Sequence, residues 1–299
     1  MPDLSAETVT EEVLAQMATT PDARLRTVME AAVRHLHAFA REVELTPAEW
    51  LTAIRFLTEV GHACTPVRQE FILLSDILGL SALVSARHDA QAAPGGTTTS
   101  LLGPFYREAS PVLPAGAQIA REPGAPELLM HGRVTDTAGH GIAGAQVEVW
   151  QTSATGLYDL QVDGGAAMDL RGTFRCGPDG AYHFRTVRPL GYQVPMDGPV
   201  GQLVHRQQRH GFRPAHIHFL ISAPGHRELI TALYFTDDPH IDSDTVFGVS
   251  RALVVQTVAN DPAAPMPGMA SVRYDFALAE AEGEETGRVG ADPAAFSPA

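Results

Sequence analysis

The chain has 299 residues, of which 44% are hydrophobic and 19% are charged, and its formal net charge at pH 7 is −14. This length and composition predict a globular protein with room for one large domain or two. The strong negative charge argues against binding to nucleic acid or to an anionic membrane surface, because both partners are themselves anionic.

The sequence does not match the pattern of a secretory signal or of a membrane span. The start, Met-Pro-Asp-Leu-Ser, lacks a basic segment followed by an apolar core and does not resemble a secretory signal. No apolar run reaches the ~18 residues of a membrane span. Cys64 and Cys176 lie far apart without a metal-binding spacing, which favours free thiols in a reducing compartment. We therefore expect a cytoplasmic protein.

Residues 10–83 have helical periodicity. One predicted helix follows Asp22, and its apolar positions recur at intervals of three and four: Leu25, Val28, Met29, Ala32, Val33 and Leu36. Thr46-Pro47-Ala48-Glu49 is a capping box with proline at the first helical position, which predicts the start of a second helix. A third helix contains Leu73 and Asp76 and ends near Gly79. These patterns predict a helical domain over residues 1–95, and residues 91–100, which are rich in Gly and Thr, are predicted to form a linker or an extended loop.

After residue 126 the periodicity changes to that of strands. Seven short β-rich segments are separated by turn sequences and have no helical segment between them. They are Leu128–Thr135, Gln146–Gln151, Tyr182–Val187, His216–Ile221, Leu229–Phe235, Ala252–Thr257 and Arg273–Leu278. This pattern predicts a mainly β protein, with an antiparallel β-sandwich over residues 96–280 after the helical domain. The tail, residues 281–299, is rich in Ala, Glu, Gly and Pro and is predicted to be disordered.

The most informative segment for function is Arg213-Pro214-Ala215-His216-Ile217-His218. Side chains alternate faces along a strand, so both imidazoles point to one side, where they could be two ligands of one metal or two hydrogen-bonded core histidines. Upstream, Tyr158 and Tyr192 each lie beside glycine in a turn-like setting, where a tyrosine is usually a packing residue. None of these features decides the matter alone.

Together the motifs resemble those of a known family. Gly-Leu-Tyr-Asp at 156–159, Gly-Tyr-x-x-Pro at 191–195 and Arg-Pro-Ala-His-x-His at 213–218 resemble the intradiol ring-cleavage dioxygenases, in the catechol and hydroxyquinol 1,2-dioxygenase branch. The resemblance implies a non-haem Fe(III) site whose ligands are Tyr158, Tyr192, His216 and His218. It also implies cleavage of a small aromatic diol or triol by O2 between two hydroxylated carbons, giving a muconate-type diacid.

The same resemblance implies roles for further residues. Tyr192 would leave the metal and accept a proton, and Arg213 would stabilise negative charge that develops on the ring. The implied substrate-binding residues are Leu73, Asp76, Leu102, Gly103, Pro104 and Phe105. Asp76 and the segment 242–248 resemble the hydroxyquinol type, in which the product is maleylacetate. Ala232 departs from catechol-type relatives, which have glutamine at this position, so a catechol or chlorocatechol substrate is the alternative.

The helical part predicts how the protein assembles. The helices over residues 10–90 have more apolar surface than one face of a sandwich needs, and the resemblance implies a homodimer through them, with a lipid held at that interface.

A non-catalytic transthyretin-like binding module explains the strands but not the two tyrosines with the histidine pair. A cupin is suggested by His-x-His alone, but it needs a glutamate where the chain has Ser222 and Ala223.

Overall fold

The structure is a computed structural model that describes residues 4–65, 68–91, 94–121, 124–162 and 167–281. The chain divides into two compact units, Met1–Glu59 and Val60–Ala299. The predicted disordered tail at 281–299 lies outside the described residues, apart from Ala281. In the described part no single helix is long and apolar enough to cross a membrane, and only one pair of helices bent by 72° meets that criterion jointly.

The first unit is built from helices whose starts follow from the sequence. They are α1 (Val9–Met17), α2 (Ala23–Glu42) and α3 (Pro47–Ala63), which ends just inside the second unit. Asp22 accepts hydrogen bonds from the backbone N–H groups of Arg24 and Leu25 at 2.8 and 2.9 Å. At α3, the Glu49 carboxylate accepts from the Thr46 backbone N–H at 2.9 Å, and the Thr46 hydroxyl accepts from Glu49 N–H at 3.3 Å. The predicted helix start after Asp22 and the predicted capping box at Thr46–Glu49 are both confirmed.

Among the residues that the structure describes, the second unit contains three further α-helices and the strands. The helices are α4 (Glu70–Ile77), α5 (Leu80–Gln91) and α6 (Pro199–Arg206). The strands are β1 (Glu127–Asp136), β2 (Gln146–Gln151), β3 (Arg171–Arg175), β4 (Ala181–Val187), β5 (Tyr192–Gln193), β6 (Phe212–Arg213), β7 (His216–Ser222), β8 (Leu229–Phe235), β9 (Val254–Val255), β10 (Ala270–Arg273) and β11 (Phe276–Leu278).

These strands form two main sheets. In one, β1 pairs with β4 on one side and with β10 and β11 on the other; in the second, the order is β3-β2-β7-β8-β9. Their facing sides share one apolar core, in which the ring of Phe219 on β7 lies 6.4 Å from Phe184 on β4 and 4.8 Å from Phe276 on β11. The predicted architecture, a helical part followed by a β-sandwich, is therefore confirmed.

The pairing of the last strands differs from a purely antiparallel sandwich. β10 and β11 run parallel to β1, and β9 runs parallel to β8. Neighbours joined by a hairpin must be antiparallel, whereas strands joined by a long connection are free to run parallel. Only part of the predicted strand Ala252–Thr257 is a strand: Ala252 and Leu253 belong to a 3₁₀ helix, Arg251–Leu253, and the short β9 covers Val254 and Val255.

Candidate metal centre and active site

Strand β7 places His216 and His218 on one face of the second sheet. Ile217 and Phe219, which alternate with them, lie in the apolar core between the sheets. The two histidine rings are buried, with exposed fractions of 2% and 1%, and their Nε2 atoms are 3.1 Å apart. The alternation predicted from the sequence thus brings two imidazole nitrogens to one point on the outer face of the strand.

The tautomer of His216 follows from its hydrogen bond. Nδ1 lies 2.7 Å from the carbonyl oxygen of Pro214, which can only accept, so Nδ1 carries the proton and Nε2 presents a lone pair. Burial, together with the nearby Arg213 cation, lowers the pKa of His216 to about 3. Burial lowers the pKa of His218 well below its ordinary value, with further contributions from His216 and Arg213. Both imidazoles are therefore neutral, as metal ligands must be.

Two tyrosines approach the same point. The hydroxyl of Tyr158 lies 3.4 Å from Nε2 of His216, and the rings of Tyr158 and Tyr192 meet edge to face with centroids 5.4 Å apart. Tyr192 belongs to β5, which pairs with β6 so that Tyr192 stands opposite Arg213. Burial raises the pKa of both phenols, Tyr158 well above its ordinary value. A phenolate here needs a cation beside it to offset the loss of hydration.

Aromatic side chains form the walls of the site. Phe105 stacks on Tyr158 with ring centroids 4.3 Å apart, and Trp150 stacks on His218 at 4.9 Å with an angle of 4° between the planes. Gly103 has φ +73°, and a Cβ there would lie 3.5 Å from the His218 ring. The chain can approach His218 this closely in a left-handed conformation because the residue is glycine. These contacts fix the orientation of two of the converging rings.

Arg213 is buried beside the histidines, with an exposed fraction of 2%. Its Nη1 lies 3.3 Å from Nε2 of His216, and its Nε lies 3.2 Å from Oδ1 of Asp244. Burial alone would lower the pKa of Arg213, but the Asp244 carboxylate raises it well above the ordinary value. The site therefore has a permanent positive charge next to the converging ligand atoms.

A second buried ion pair lies behind Tyr158. Arg171 on β3 donates from Nε to Oδ2 of Asp159 at 2.8 Å and forms a second, shorter contact to Oδ1 of the same carboxylate. Arg171 also donates to the backbone carbonyl of Phe105 at 3.2 Å. Because Asp159 directly follows Tyr158, this arginine connects both members of the Phe105–Tyr158 stack.

The predicted substrate-binding residues separate into two groups. Leu73, Pro104 and Phe105 line a cavity of about 320 Å³, which Pro195 also borders. Leu102 and Gly103 precede Pro104 in the chain but are not among the residues that line this cavity. Asp76, one turn after Leu73 on α4, is buried with an exposed fraction of 4%.

Asp76 is electrically coupled to the site. Burial raises its pKa; a hydrogen bond from Ser81 and the positive charge of Arg213 act in the opposite direction. The charge of Asp76 in turn raises the pKa of Tyr192. The charge of this carboxyl group therefore interacts with two groups of the site, Arg213 and Tyr192.

The set of donor atoms suits a hard, highly charged cation. Two neutral imidazoles and two phenols meet, and among the described residues no cluster of three or more His, Cys, Asp or Glu side chains could hold a metal ion. Fe(II) oxygenases use two histidines and one carboxylate, and no such cluster is found among the described residues. Phenolate oxygens suit a highly charged cation, because their negative charge offsets part of its positive charge.

Several residues at the site were not predicted from the sequence as parts of it. Trp150 and Arg171 reach it through strand register, since Trp150 on β2 stands between Arg171 on β3 and His218 on β7. The segment 242–248 contains Asp244, but its sequence carries no signal for the bond of Asp244 to Arg213. Register between strands is a long-range property, so a single sequence carries little signal for these contacts.

Comparison with known proteins places the chain among a defined set of relatives. A family model described as "Dioxygenase" matches residues 102–280, and one described as "Catechol dioxygenase N terminus" matches residues 22–96. The chain is 42% identical over 278 residues to 6-chlorohydroxyquinol 1,2-dioxygenase from Cupriavidus pinatubonensis, covering 93% of this chain and 99% of that protein. It is 43% identical over 277 residues to hydroxyquinol 1,2-dioxygenase from a Rhizobium species, covering 90% and 94%.

A solved structure agrees with the sequence matches. The crystal structure of hydroxyquinol 1,2-dioxygenase from Pseudomonas putida DLL-E4 superposes on this chain with a TM-score of 0.83 and 41% sequence identity. The match covers 91% of this chain and 98% of the other. The likeness therefore extends over the helical part and the sandwich together.

Proposed function

The chain belongs to the intradiol ring-cleavage dioxygenase family, and from that premise we propose that it cleaves hydroxyquinol (1,2,4-trihydroxybenzene) or a related catechol. Cleavage by O2 falls between the two adjacent hydroxylated carbons and gives a muconate-type diacid, which is maleylacetate when hydroxyquinol is the substrate. The observation that carries the choice of substrate is the 42–43% identity to relatives named for hydroxyquinols, over at least 90% of this chain.

The proposed cofactor is a non-haem Fe(III) held by Tyr158, Tyr192, His216 and His218. Support comes from the Nε2 lone pair of His216, which lies 3.1 Å from Nε2 of His218 and 3.4 Å from the hydroxyl of Tyr158. When bound, Fe(III) supplies the chemistry that makes a chelated diol reactive toward O2. The protein supplies the two neutral nitrogens and the two phenol oxygens, with Phe105 stacked on Tyr158 and Trp150 stacked on His218.

The remaining roles follow from position and charge. Tyr192 would accept the proton of an incoming diol hydroxyl in its phenolate form, which the bound cation would stabilise. Arg213 stabilises negative charge on the ring through Nη1, which is directed at the histidine pair. Asp76 accepts a hydrogen bond from the third ring hydroxyl, which an apolar side chain could not do.

A catechol or chlorocatechol remains the alternative substrate. Asp76 already has a hydrogen-bond partner in Ser81, and if that contact is its whole role, nothing in the pocket selects a third hydroxyl. A non-catalytic binding module is disfavoured by membership of a dioxygenase family. The compartment we propose is the cytoplasm, in keeping with the free thiols of Cys64 and Cys176.

We also propose a homodimer formed through the helical unit. None of the described side chains of α2 is buried, and its apolar positions are open to solvent, with exposed fractions of 46% at Leu25 and 64% at Leu36. On α3, Trp50 is 55% exposed. A second copy of the chain, with a lipid between the two helical units, would cover this surface. The helical dimerisation domain at 1–95 and the catalytic domain at 96–280 stay predictions.

The test is oxygen uptake by the iron-loaded enzyme with a panel of diols and triols, each product being identified by mass. We expect stoichiometric O2 consumption, incorporation of both oxygen atoms into an acyclic product, and the highest kcat/KM with hydroxyquinol. A higher kcat/KM with catechol would select the alternative substrate. If none of the compounds causes oxygen uptake, the proposed function is refuted.

A further inference from the structure

The guanidinium of Arg213 is held at two of its three nitrogens, away from the histidines. Nε donates to Oδ1 of Asp244 at 3.2 Å, and Nη2 donates to the hydroxyl of Tyr234 at 3.1 Å and to Oδ2 of Asp244 at 3.4 Å. Only Nη1 faces the site, 3.3 Å from Nε2 of His216. Since a guanidinium is planar and rigid, fixing Nε and Nη2 determines where Nη1 points.

The partners of Arg213 are themselves fixed. Asp244 accepts from the backbone N–H of Val246 at 3.3 Å and from that of Gly248 at 3.0 Å. The hydroxyl of Tyr234 lies 2.8 Å from that of Ser100, which donates to the carbonyl of Gly248 at 3.0 Å. Because that carbonyl can only accept, each donor in this series of hydrogen bonds is fixed: Arg213 donates to Tyr234, Tyr234 to Ser100, and Ser100 to Gly248. Hydrogen bonds linked in such a series strengthen one another.

Gly248 closes this arrangement. A Cβ at position 248 would lie 2.6 Å from the Tyr234 hydroxyl, 2.9 Å from Nη2 of Arg213 and 3.1 Å from Oδ2 of Asp244. Gly248 does not have the positive φ that favours glycine. Space for the three side chains, rather than backbone conformation, is therefore what excludes a side chain at 248.

We propose that Asp244, Tyr234 and Gly248 are positioning residues that act on the reaction through Arg213. The proposal rests on the function proposed above and adds to it the residues that determine the direction in which Nη1 points. A cation aimed in advance at the place where negative charge develops needs no reorganisation during the reaction, and this is where most of its stabilising effect comes from. The same contacts could merely hold the fold together, so the experiment must separate the two roles.

The central experiment is a double-mutant cycle with Asp244→Asn and Arg213→Lys in the iron-loaded enzyme. In the parent enzyme, Asp244→Asn should lower kcat about 10- to 100-fold with a smaller change in KM. In the Arg213→Lys background the planar guanidinium that Asp244 holds is already absent. There the same change should lower kcat less than about twofold, because the effects of substitutions in residues that act as a unit are not additive. Equal loss in both backgrounds, or no loss in the parent, would overturn the proposal.

Readouts other than activity exclude a general loss of structure. The visible absorption band of the iron-loaded protein, its shift on anaerobic addition of hydroxyquinol, and Tm should stay close to those of the parent in Asp244→Asn. Tyr234→Phe removes a single oxygen atom and should show a smaller kcat loss with the same dependence on Arg213. If Asp244→Asn does not fold, Tyr234→Phe decides, and unchanged kcat in that variant counts against the proposal.

A matched pair of glycine variants tests the spatial argument. Gly248→Ala should lower kcat, because its Cβ displaces the three side chains. Gly61→Ala should leave kcat unchanged, because the nearest atom to a Cβ there is a carbon of Phe71 at 3.8 Å. A fully active Gly248→Ala would overturn the proposal. A parent enzyme that oxidises no diol would instead refute the proposed function, and this inference with it, whereas an active parent with an equally active Asp244→Asn refutes this inference alone.

Discussion

Nδ1 of His216 lies 2.7 Å from the carbonyl oxygen of Pro214, two residues earlier in the chain. This local contact determines the protonation of the ring before any metal binds, because a carbonyl oxygen cannot donate. The lone pair on Nε2 is then turned toward His218 and Tyr158. A ligand whose tautomer is already set does not have to exchange protons between its nitrogens when a metal enters.

The first prediction concerns the metal ligands. Tyr158→Phe and His218→Ala each remove one donor atom from the converging set, so both should lose iron and the visible band that arises from tyrosinate bound to Fe(III). Iron content per chain and the visible spectrum measure this. Tyr182→Phe is the matched control, since Tyr182 is equally buried but its hydroxyl bonds to the backbone carbonyl of Tyr274 at 2.8 Å. Full iron occupancy and activity in Tyr158→Phe would refute the ligand assignment.

How far the site could be predicted depends on the range of the interactions. The shared orientation of His216 and His218 follows from strand alternation, which is a local property, and the helix caps at Asp22 and Thr46 are equally local. Tyr158 and Tyr192 could be assigned only through the family resemblance, because a tyrosine beside glycine carries no chemical signal of its own. The assignment of these two tyrosines as metal ligands stays a prediction.

The elements that were missed have polar or very short sequences. Strand β3, Arg171–Arg175, has an arginine at each end and a glycine between, so it lacks the alternation that marks a strand. Helix α6 has only eight residues and begins at Pro199. The contacts of Arg171 with Asp159 and Phe105 depend on how β3 aligns with β2, and that alignment is determined by packing across the whole sheet.

The second prediction separates Tyr192 from the other ligands. Tyr192→Phe should keep part of the iron, held by Tyr158 and the two histidines, but should lose turnover because the proton acceptor for the diol is gone. The loss in kcat should be about 10²- to 10⁴-fold, the usual contribution of a positioned acid or base. Iron content, anaerobic diol binding and O2 uptake measured on one preparation check this. Turnover close to that of the parent would show that Tyr192 accepts no essential proton.

The third prediction concerns assembly. Leu36→Asp places a charge in the exposed apolar face of α2 and should shift the protein from dimer to monomer in sedimentation velocity experiments. Ala38→Asp adds the same charge about 200° further around the helix and should leave the dimer intact. A parent protein that sediments as a monomer at every concentration would contradict the proposed dimer, whatever the variants do.

The last prediction tests whether Asp76 selects the substrate. If its carboxylate accepts a hydrogen bond from the third ring hydroxyl, Asp76→Ala should reduce the preference of kcat/KM for hydroxyquinol over catechol by about 1–3 kcal/mol, the cost of one lost polar contact. Ser81→Ala is the matched control: it removes the partner that the carboxylate has within the protein but leaves the carboxylate in place. The preference should survive in Ser81→Ala and shrink in Asp76→Ala. An unchanged preference in Asp76→Ala would mean that this carboxylate serves only the contact between α4 and α5, and catechol would then become the better candidate.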